Sequence, residues 1–329
     1  MNTAASTRGI DLPVGEHKLC ARVARLYYES DLTQEQIGEL LGLSRMKVNR
    51  LLRLALKTGV VQIRIFGPDE EHADLQHDLE AAFQLKDVVV VSDPLPEQTL
   101  VAVLAEAAAE WLAERLAPGL VVGLGLGRTV ARFPDTFVVP RPVPCRFVTL
   151  EGVGTSPNAG FAAYDVTSRL ADAAGGTAEI ISAPTYVSSR VVRDGLLAEP
   201  SVRSSLDVAR SATLMIQSVG SLTTDAPLFR HGTLSTDELA ALATAGAVGD
   251  ALGHFFDAEG QHIPWRTDEL NIGLTLEDLK ACPTSALVAG GDRKVPAIQA
   301  ALRGGFFNVL ITDATTARTV LGAGVGAAR

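Results

Sequence analysis

A glycine-rich turn, Gly123–Thr129, contains the first residues whose types and spacing could bind a ligand. Glycine lets the backbone approach an anion closely, and the free N–H groups of a following helix would donate hydrogen bonds to it. Arg128 would add a positive charge and Thr129 a hydroxyl. The third glycine of a dinucleotide-binding fingerprint is replaced here by Val130, so the turn favours a phosphate group over a dinucleotide. A tight strand-to-helix turn without any ligand is the alternative.

Polar residues follow other predicted strands in the same way. Lys294, at the end of Gly290–Lys294, has the charge to hold a phosphate; the alternative is a solvated lysine in the first turn of a helix. Asp250, in a predicted glycine-flanked turn, has a carboxylate that could accept hydrogen bonds from sugar hydroxyls; the alternative is an Asp in a surface turn. Glu151-Gly152 and Ala183-Pro184-Thr185 also follow strands. Because α/β proteins bind ligands at the carboxyl ends of their strands, these loops together predict one ligand site.

A second group of residues has the chemistry of DNA recognition. The stretch Thr33–Lys57 predicts two short helices joined at Gly42, with Thr33 and Ser44 as their N-caps and Gly38 where the helices cross. Apolar residues recur at the spacing that buries one face of each helix; they are Ile37, Leu40, Leu41, Leu43, Val48, Leu51 and Leu52. This arrangement predicts a helix-turn-helix whose second helix enters the major groove.

The predicted DNA-binding residues are Thr33, Ser44, Arg45, Lys47, Asn49, Arg50 and Arg53. We expect Arg45, Asn49 and Arg50 to contact base edges, because arginine pairs with guanine and asparagine with adenine in a bidentate manner. The other basic side chains of this helix, together with one on the following strand, are expected on phosphates; they are Lys47, Arg53 and Arg64. An ordinary helix pair with a solvated basic face is the alternative.

The charge distribution agrees with a DNA-binding first domain. Residues 1–66 carry ten Lys or Arg and six Asp or Glu, a net charge of +4, which leaves −13 for the remainder because the whole chain carries −9. A basic head on an acidic body is typical of a protein whose first domain contacts phosphates and whose second does not.

The composition also predicts where the protein works. Its three cysteines are far apart in sequence and match no disulfide or metal spacing, and its six histidines show no ligand spacing, so we expect no metal and no cofactor. The N-terminus has no apolar signal core, and no apolar run approaches the ~20 residues that span a bilayer. We therefore expect a cytoplasmic protein that does not contact a membrane.

The elements that would position these residues form two predicted domains, a DNA-binding domain at 1–66 and an effector domain at 67–329. In the first, a helix at Glu16–Asp31 braces the helix-turn-helix and a strand at Val60–Ile65 forms a wing; Gly67-Pro68-Asp69 then breaks the pattern. In the second, buried strands are expected at Lys86–Ser92, Gly119–Leu124, Arg146–Leu150, Ala178–Ser182, Thr213–Gly220, Ala286–Ala289 and Asn308–Thr312. Helices are expected at Glu70–Leu85, Glu97–Leu116, Tyr164–Ala174, Val295–Arg303 and Thr315–Leu321. This order predicts an α/β fold with a mostly parallel sheet covered on both faces.

These motifs, in this order, resemble the SorC family of sugar-binding transcriptional regulators over essentially the whole chain. VARLYYESDLTQEQIGELLGLSRMKVNRLL is similar to the family's helix-turn-helix, and VGLGLGRTV is similar to its effector-phosphate loop. GAVGDALGHFFDAEG and AGGDRKVPAIQAALRGGFFNVLITDATTARTVL resemble its C-terminal signature. The resemblance implies an effector domain related to sugar-phosphate isomerases and glucosamine-phosphate deaminases. It also implies a homotetramer that releases or rearranges on DNA when effector binds.

Carried over by motif, the resemblance implies a phosphate-binding group and a group that faces the hydroxylated part of the effector. The first comprises Gly125, Gly127, Arg128, Thr129 and Lys294; the second comprises Gly152 and Asp250. A side chain as bulky as Arg128 could either bind the anion or narrow the pocket.

The function predicted from sequence is that of a transcriptional regulator, a repressor of a carbohydrate or sugar-alcohol operon. Its expected partners are double-stranded operator DNA, a small phosphorylated sugar or polyol, and further copies of the chain. The alternative is an isomerase- or deaminase-like enzyme carrying a DNA-binding head, which would need a positioned acid/base pair. The candidates for that pair, Asp165, Glu151 and Asp250, form no recognisable motif, so we expect no enzymatic activity.

Overall fold

A computed structural model describes residues 14–30, 32–58, 60–61, 72–95, 98–125, 127–154, 159–224, 229 and 233–324. The chain divides into two compact units, Met1–Asp69 and Glu70–Arg329. Within the described residues, no helix combines the length and the apolar character needed to cross a membrane.

The first unit contains three helices, α1 (Val14–Tyr28), α2 (Gln34–Leu41) and α3 (Arg45–Lys57). The predicted capping box is confirmed, since the Gln36 N–H donates to Thr33 Oγ1 over 3.3 Å and the Thr33 N–H donates to Gln36 Oε1 over 2.9 Å. Gly42 ends α2 in the left-handed conformation with φ of 65°. The N–H of Lys47 donates to Ser44 Oγ at the start of α3. These caps fix the sharp turn between α2 and α3.

The three helices of the first unit share one apolar core. Its buried residues are Cys20, Val23, Ala24, Ile37, Val48, Leu51, Leu52 and Ala55. Gly38 lies in α2 and packs against the turn between the helices, where a Cβ would lie 2.6 Å from the carbonyl oxygen of Leu43. The prediction for Leu40 is wrong: its side chain is 61% exposed, because it lies on the face of α2 turned away from this core. The predicted wing falls almost entirely outside the described residues, as do Arg64 and the break at Gly67-Pro68-Asp69.

Two sheets form the second unit. Their strands are β1 (Asp87–Val91), β2 (Val121–Leu124), β3 (Arg146–Thr149), β4 (Thr177–Glu179), β5 (Leu214–Gln217), β6 (Gly220–Ser221), β7 (Gly249–Ala251), β8 (His254–Phe256), β9 (His262–Ile263), β10 (Thr284–Val288) and β11 (Val309–Asp313). Seven strands form a parallel sheet in the order β1-β11-β10-β5-β2-β3-β4. At its centre, Val122 of β2 lies opposite Leu214 of β5 and Phe147 of β3. The predicted α/β class with a mostly parallel sheet is confirmed.

Helices cover both faces of the parallel sheet. They are α4 (Ala73–Phe83), α5 (Leu100–Glu114), α6 (Phe133–Thr136), α7 (Ala159–Ala174), α8 (Arg190–Ala198), α9 (Pro200–Arg210), α10 (Thr236–Thr244), α11 (Leu276–Ala281), α12 (Val295–Arg303) and α13 (Ala314–Gly324). Successive residues of one strand enter different cores: Leu310 of β11 lies in one and its neighbours Val309 and Ile311 in the other. This alternation is the expected result of burying a sheet between two helical layers.

The smaller sheet is antiparallel, with strand order β6-β7-β8-β9, and sequence reasoning did not predict it. Its strands are only two or three residues long, too short for a periodic pattern to be recognised. The predicted strand Thr213–Gly220 is in fact divided, with Leu214–Gln217 in the large sheet and Gly220–Ser221 in the small one. Asp250 was expected in a turn but lies on β7, because the chain reverses three residues later at Gly253, where φ is 76°.

Candidate functional site

The exposed side of α3 carries the residues predicted to bind DNA. Arg45, Arg50 and Arg53 are exposed, as expected for side chains that face a nucleic acid, and Lys47 is partly buried. The Asn49 amide donates a 3.4 Å hydrogen bond to Gln34 Oε1 of α2, so this donor already has a partner within the first unit. Reading adenine with Asn49 would require this long hydrogen bond to be exchanged for one to the base.

Three further residues complete this surface. Thr33 and Ser44 use their hydroxyls to cap helices, so the contacts seen for them position α2 and α3. Met46 was not predicted, yet its side chain is 85% exposed at the start of α3, next to Arg45. An exposed apolar side chain on a basic helix suits contact with the methyl group of thymine. The signal available in the sequence was that Met46 falls outside the apolar spacing of the core.

The glycine-rich turn lies at the carboxyl end of β2, at the centre of the parallel sheet. The N–H of Gly125 donates to the carbonyl of Ile216 over 2.9 Å, and a Cβ at Gly125 would overlap the side-chain amide of Gln217. Gly127 is more open, since a Cβ there would lie 4.0 Å from the Cβ of Ser218. The turn therefore brings backbone close to the ends of β2 and β5 in a way that a side chain would prevent.

The residues after these glycines differ from the expected helix start. Arg128 is exposed and Thr129 is buried, and they are followed by a single 3₁₀ turn, Val130–Arg132, and the four-residue α6. The expectation that a helix N-terminus supplies a substantial dipole here is wrong, because so short a helix aligns few peptide groups. Positive charge at this edge must come from side chains.

Lys294 supplies such a charge. Its Nζ donates a 2.9 Å hydrogen bond to Ser218 Oγ, which follows β5, so the alternative of a fully solvated lysine is wrong. Burial and, second, the positive charge of Arg128 lower the pKa of Lys294 to about 8, and the charge of Asp250 partly opposes both effects. We call Gly125, Gly127, Arg128, Ser218 and Lys294 the anion end of the site. A bound anion would stabilise these two cations, which repel each other in the free protein.

Two carboxylates lie beside the anion end. Burial raises the pKa of Asp250 to about 6, while a hydrogen bond from the Gly253 N–H and the charge of Lys294 act in the opposite direction. Burial and, second, the negative charge of Asp250 raise the pKa of Glu151 to about 7. Perturbed acids of this kind cluster at functional sites. The sequence had placed Glu151 in one of the loops of the predicted ligand site and had also made it a candidate for an enzymatic acid/base pair.

Tyr186 and Asn271 complete the polar surroundings of these acids and were not predicted. Burial and the nearby charges of Glu151 and Asp250 raise the pKa of Tyr186 well above its usual value. The Tyr186 hydroxyl lies beside the Asn271 amide, but it makes no hydrogen bond of normal geometry to any described residue, and neither does Asn271 Oδ1. We call Glu151, Tyr186, Asp250 and Asn271 the carboxylate end of the site.

Gly152 has a packing role at this edge of the sheet. Its N–H donates to the Ile272 carbonyl over 2.9 Å, its own carbonyl accepts a 2.6 Å hydrogen bond from Thr185 Oγ1, and a Cβ would lie 2.8 Å from the Pro184 carbonyl carbon. Its N–H is therefore not available to the effector hydroxyl predicted to face it. Asp165 lies outside the site, on the exposed side of α7, 3.6 Å from Arg169. Of the three acids considered for an enzymatic pair, Glu151 and Asp250 therefore lie together, whereas Asp165 lies apart from them.

Comparison with known proteins gives matches over nearly the whole chain. The sugar-binding domain family (Sugar-bind) matches residues 68–322, and Sigma-70, region 4 matches residues 21–58. The chain is 37% identical over 328 residues to the transcriptional regulator LsrR of Enterobacter sp. (strain 638), covering 97% of each protein. It is 32% identical to the deoxyribonucleoside regulator of Bacillus subtilis (strain 168), covering 93% of this chain and 98% of that protein. It is 31% identical to the erythritol catabolism regulatory protein EryD of Brucella abortus (strain 2308), covering 93% and 97%.

A solved structure agrees with the fold. The full-length sorbitol operon regulator SorC from Klebsiella pneumoniae superimposes with a TM-score of 0.79, covering 94% of this chain and 100% of that one, at 24% sequence identity.

Proposed function

The chain belongs to the SorC family of sugar-binding transcriptional regulators, and from this premise we propose that it represses a carbohydrate or sugar-alcohol operon under the control of a small phosphorylated sugar or polyol. The observation that carries the proposal is the pairing of an anion end with a carboxylate end at the same edge of the parallel sheet. A phosphorylated polyol has the matching chemistry, with an anion at one end and hydroxyls along the rest.

The anion end suits a phosphate for electrostatic reasons. Arg128 and Lys294 repel each other in the free protein, and burial adds to the difficulty of keeping Lys294 charged. A phosphate placed between them would offset the repulsion and favour the charged form of Lys294. It would also accept hydrogen bonds from Ser218 and the lysine ammonium. Gly125 and Gly127 would let it approach the backbone without a steric clash. Phosphate binding by Thr129 is proposed only through its backbone, because its side chain is buried.

The carboxylate end suits hydroxyl groups. A carboxylate accepts hydrogen bonds from hydroxyls, and the Tyr186 hydroxyl and Asn271 Oδ1 are available to donate and accept one each. An apolar ligand would leave these groups desolvated without a partner, at a cost of about 1–3 kcal/mol each. Two relatives are named as a deoxyribonucleoside regulator and an erythritol catabolism regulatory protein, and both of these compounds carry more than one hydroxyl. These features support a small polyhydroxylated effector.

Control of DNA binding follows from linkage between the two units. An effector shifts a conformational equilibrium only by its difference in affinity for the two states. We propose that the protein is a cytoplasmic homotetramer in which effector binding by residues 70–329 changes the arrangement of the recognition helices. Arg45, Asn49 and Arg50 would then read base edges, and Lys47 and Arg53 would contact phosphates.

A thermal-shift screen tests the effector assignment. Sugar phosphates and polyol phosphates are each compared with the same compound lacking the phosphate. A ligand at 100 times its Kd stabilises the folded state by about 2.7 kcal/mol, which corresponds to roughly 5–10 °C for a unit of this size. We expect only phosphorylated compounds to stabilise the protein, and Lys294→Met to abolish the shift while the exposed-lysine control Lys280→Met retains it. Stabilisation by unphosphorylated polyols alone would refute the phosphate assignment.

A further inference from the structure

The small antiparallel sheet brings together two histidines and an aspartate that belong to neither the anion end nor the carboxylate end. His254 lies on β8, His262 lies on β9, and Asp268 belongs to the 3₁₀ turn Arg266–Glu269. His254 Nδ1 is 2.6 Å from Asp268 Oδ1, and His262 Nε2 is 3.2 Å from Asp268 Oδ2. One ligand atom from each of the three residues lies within 4.8 Å of the others.

We infer that His254, His262 and Asp268 form a binding site for a divalent transition-metal ion. Two imidazoles and a carboxylate are the donors that Zn²⁺ and Ni²⁺ accept in proteins. The carboxylate already faces a ring nitrogen of each histidine, so the three donor groups are gathered in one place before any ion arrives. A fourth position would be taken by water, because the His262 side chain is 42% exposed and leaves that side open to solvent.

The charge of the cluster favours a cation. Burial raises the pKa of the Asp268 carboxyl, but hydrogen bonds from His254 and from the Trp265 N–H outweigh it and keep the pKa below its usual value. Asp268 is therefore ionised at neutral pH, which is the form that binds a metal. The Trp265 N–H donates to Asp268 Oδ2 over 2.8 Å and fixes the carboxylate as an outer hydrogen bond does in known metal sites.

Binding requires a small rearrangement and a proton shift. Donor atoms around a zinc ion lie about 2.0–2.2 Å from the metal, so the widest separation in the cluster must shorten. His262, half exposed on the edge strand β9, is the side chain free to make that movement. The ion replaces the ring protons that point at Asp268: a neutral imidazole transfers its proton to the other ring nitrogen, and a protonated one releases a proton to solvent.

A bound ion would fasten β8 and β9 to the 3₁₀ turn. The same sheet continues through β7, which carries Asp250 of the carboxylate end, so the ion would stiffen the strand that presents this acid. The inference concerns a separate site and stands whether or not the effector assignment is correct.

Isothermal titration of the untagged, chelator-treated full chain with ZnCl₂ and with NiCl₂ tests the inference. We expect one saturable ion per chain, an increase in the melting temperature on loading, and at least a tenfold loss of affinity in His262→Ala, since even residues that only support a ligand contribute about 10–100-fold. His77→Ala removes an exposed histidine of α4 and should bind as the unchanged protein does.

Two results would overturn the inference. One is the absence of saturable binding by the unchanged protein, which would leave the cluster as a hydrogen-bonded support for the turn. The other is equal affinity in the unchanged protein and in His262→Ala. If His262→Ala fails to fold by circular dichroism, His262→Gln, which keeps a polar side chain of similar length, replaces it in the same comparison.

Discussion

Replacing Lys294 with methionine should stabilise the effector-free protein while weakening effector binding. Burial of the ammonium and, second, repulsion by the charge of Arg128 lower the pKa of Lys294 from 10.5 to about 8. Methionine keeps the length of the side chain, removes the charge and loses the hydrogen bond to Ser218 Oγ. Functional sites commonly hold residues that destabilise the ligand-free protein but are required for ligand binding.

The size of the effect follows from the same contacts. A pKa lowered from 10.5 to about 8 corresponds to an unfavourable contribution of about 3 kcal/mol at pH 7, at roughly 1.4 kcal/mol per pKa unit, and this is an upper bound because the ammonium is only partly buried. Loss of the hydrogen bond to Ser218 Oγ destabilises the variant by about 1 kcal/mol and so offsets part of this gain. We therefore expect Lys294→Met to raise the free energy of unfolding by about 1–2 kcal/mol.

The sign of the pH dependence is also determined. The folded-state pKa lies below the unfolded value, so the penalty is complete below pH 8 and disappears as pH rises toward 10.5. The stability difference between Lys294→Met and the unchanged protein should therefore be largest at pH 7 and smaller at pH 9.5.

Urea unfolding followed by tryptophan fluorescence is the appropriate assay. Both tryptophans, Trp111 and Trp265, lie in residues 70–329, so the signal reports this unit alone. Lys280→Met, which removes an exposed ion pair with Glu277, should change stability by no more than about 1 kcal/mol. A Lys294→Met protein that is less stable than the unchanged one at pH 7, or a difference that is equal at the two pH values, would refute the reasoning.

Three further predictions concern the DNA-binding unit. Arg50→Ala should abolish operator binding in a gel-shift assay without changing the circular dichroism spectrum, because the side chain is exposed; unchanged affinity would remove it from the base-reading set. Gly38→Ala should destabilise the first unit by about 1–3 kcal/mol through its clash with the Leu43 carbonyl, measured as loss of helical signal; an unaltered signal would contradict the clash. Met46→Ala should weaken binding to a thymine-containing operator by about tenfold at most and remove any sensitivity to replacing thymine with uracil; equal sensitivity in both proteins would exclude a methyl contact.

The helix-turn-helix and the parallel sheet could be predicted because their signals are local. The turn at Gly42, the caps Thr33 and Ser44, and the apolar spacing of α2 and α3 are all contained in one short stretch. Six of the seven parallel strands were recognisable because each is a short, largely buried apolar run followed by a polar loop; β4, Thr177–Glu179, is instead mostly exposed. Leu40 shows the limit of this reasoning, since its spacing fits the core but the helix packing leaves it exposed.

The site was harder to predict because its contacts join residues distant in sequence. Lys294 and Ser218 are 76 positions apart, and only the pairing of β5 with β10 brings them together. Asp250 could be selected by its motif, but its place on a strand depends on a hairpin of three-residue strands that carries no periodic signal. Tyr186 and Asn271 could not be singled out, because an isolated tyrosine or asparagine has no pattern until the fold places it beside two acids.

The most direct test of the regulatory proposal measures operator affinity with and without effector. Fluorescence anisotropy would follow a labelled DNA fragment, selected from genomic DNA by the protein itself, during titration with a phosphorylated polyol from the thermal-shift screen and with its unphosphorylated counterpart. We predict that only the phosphorylated compound changes the affinity for DNA, by about 5–150-fold, and that Lys294→Met retains DNA binding but loses this response. An equal response to the two compounds, or an unaltered response in Lys294→Met, would contradict the account.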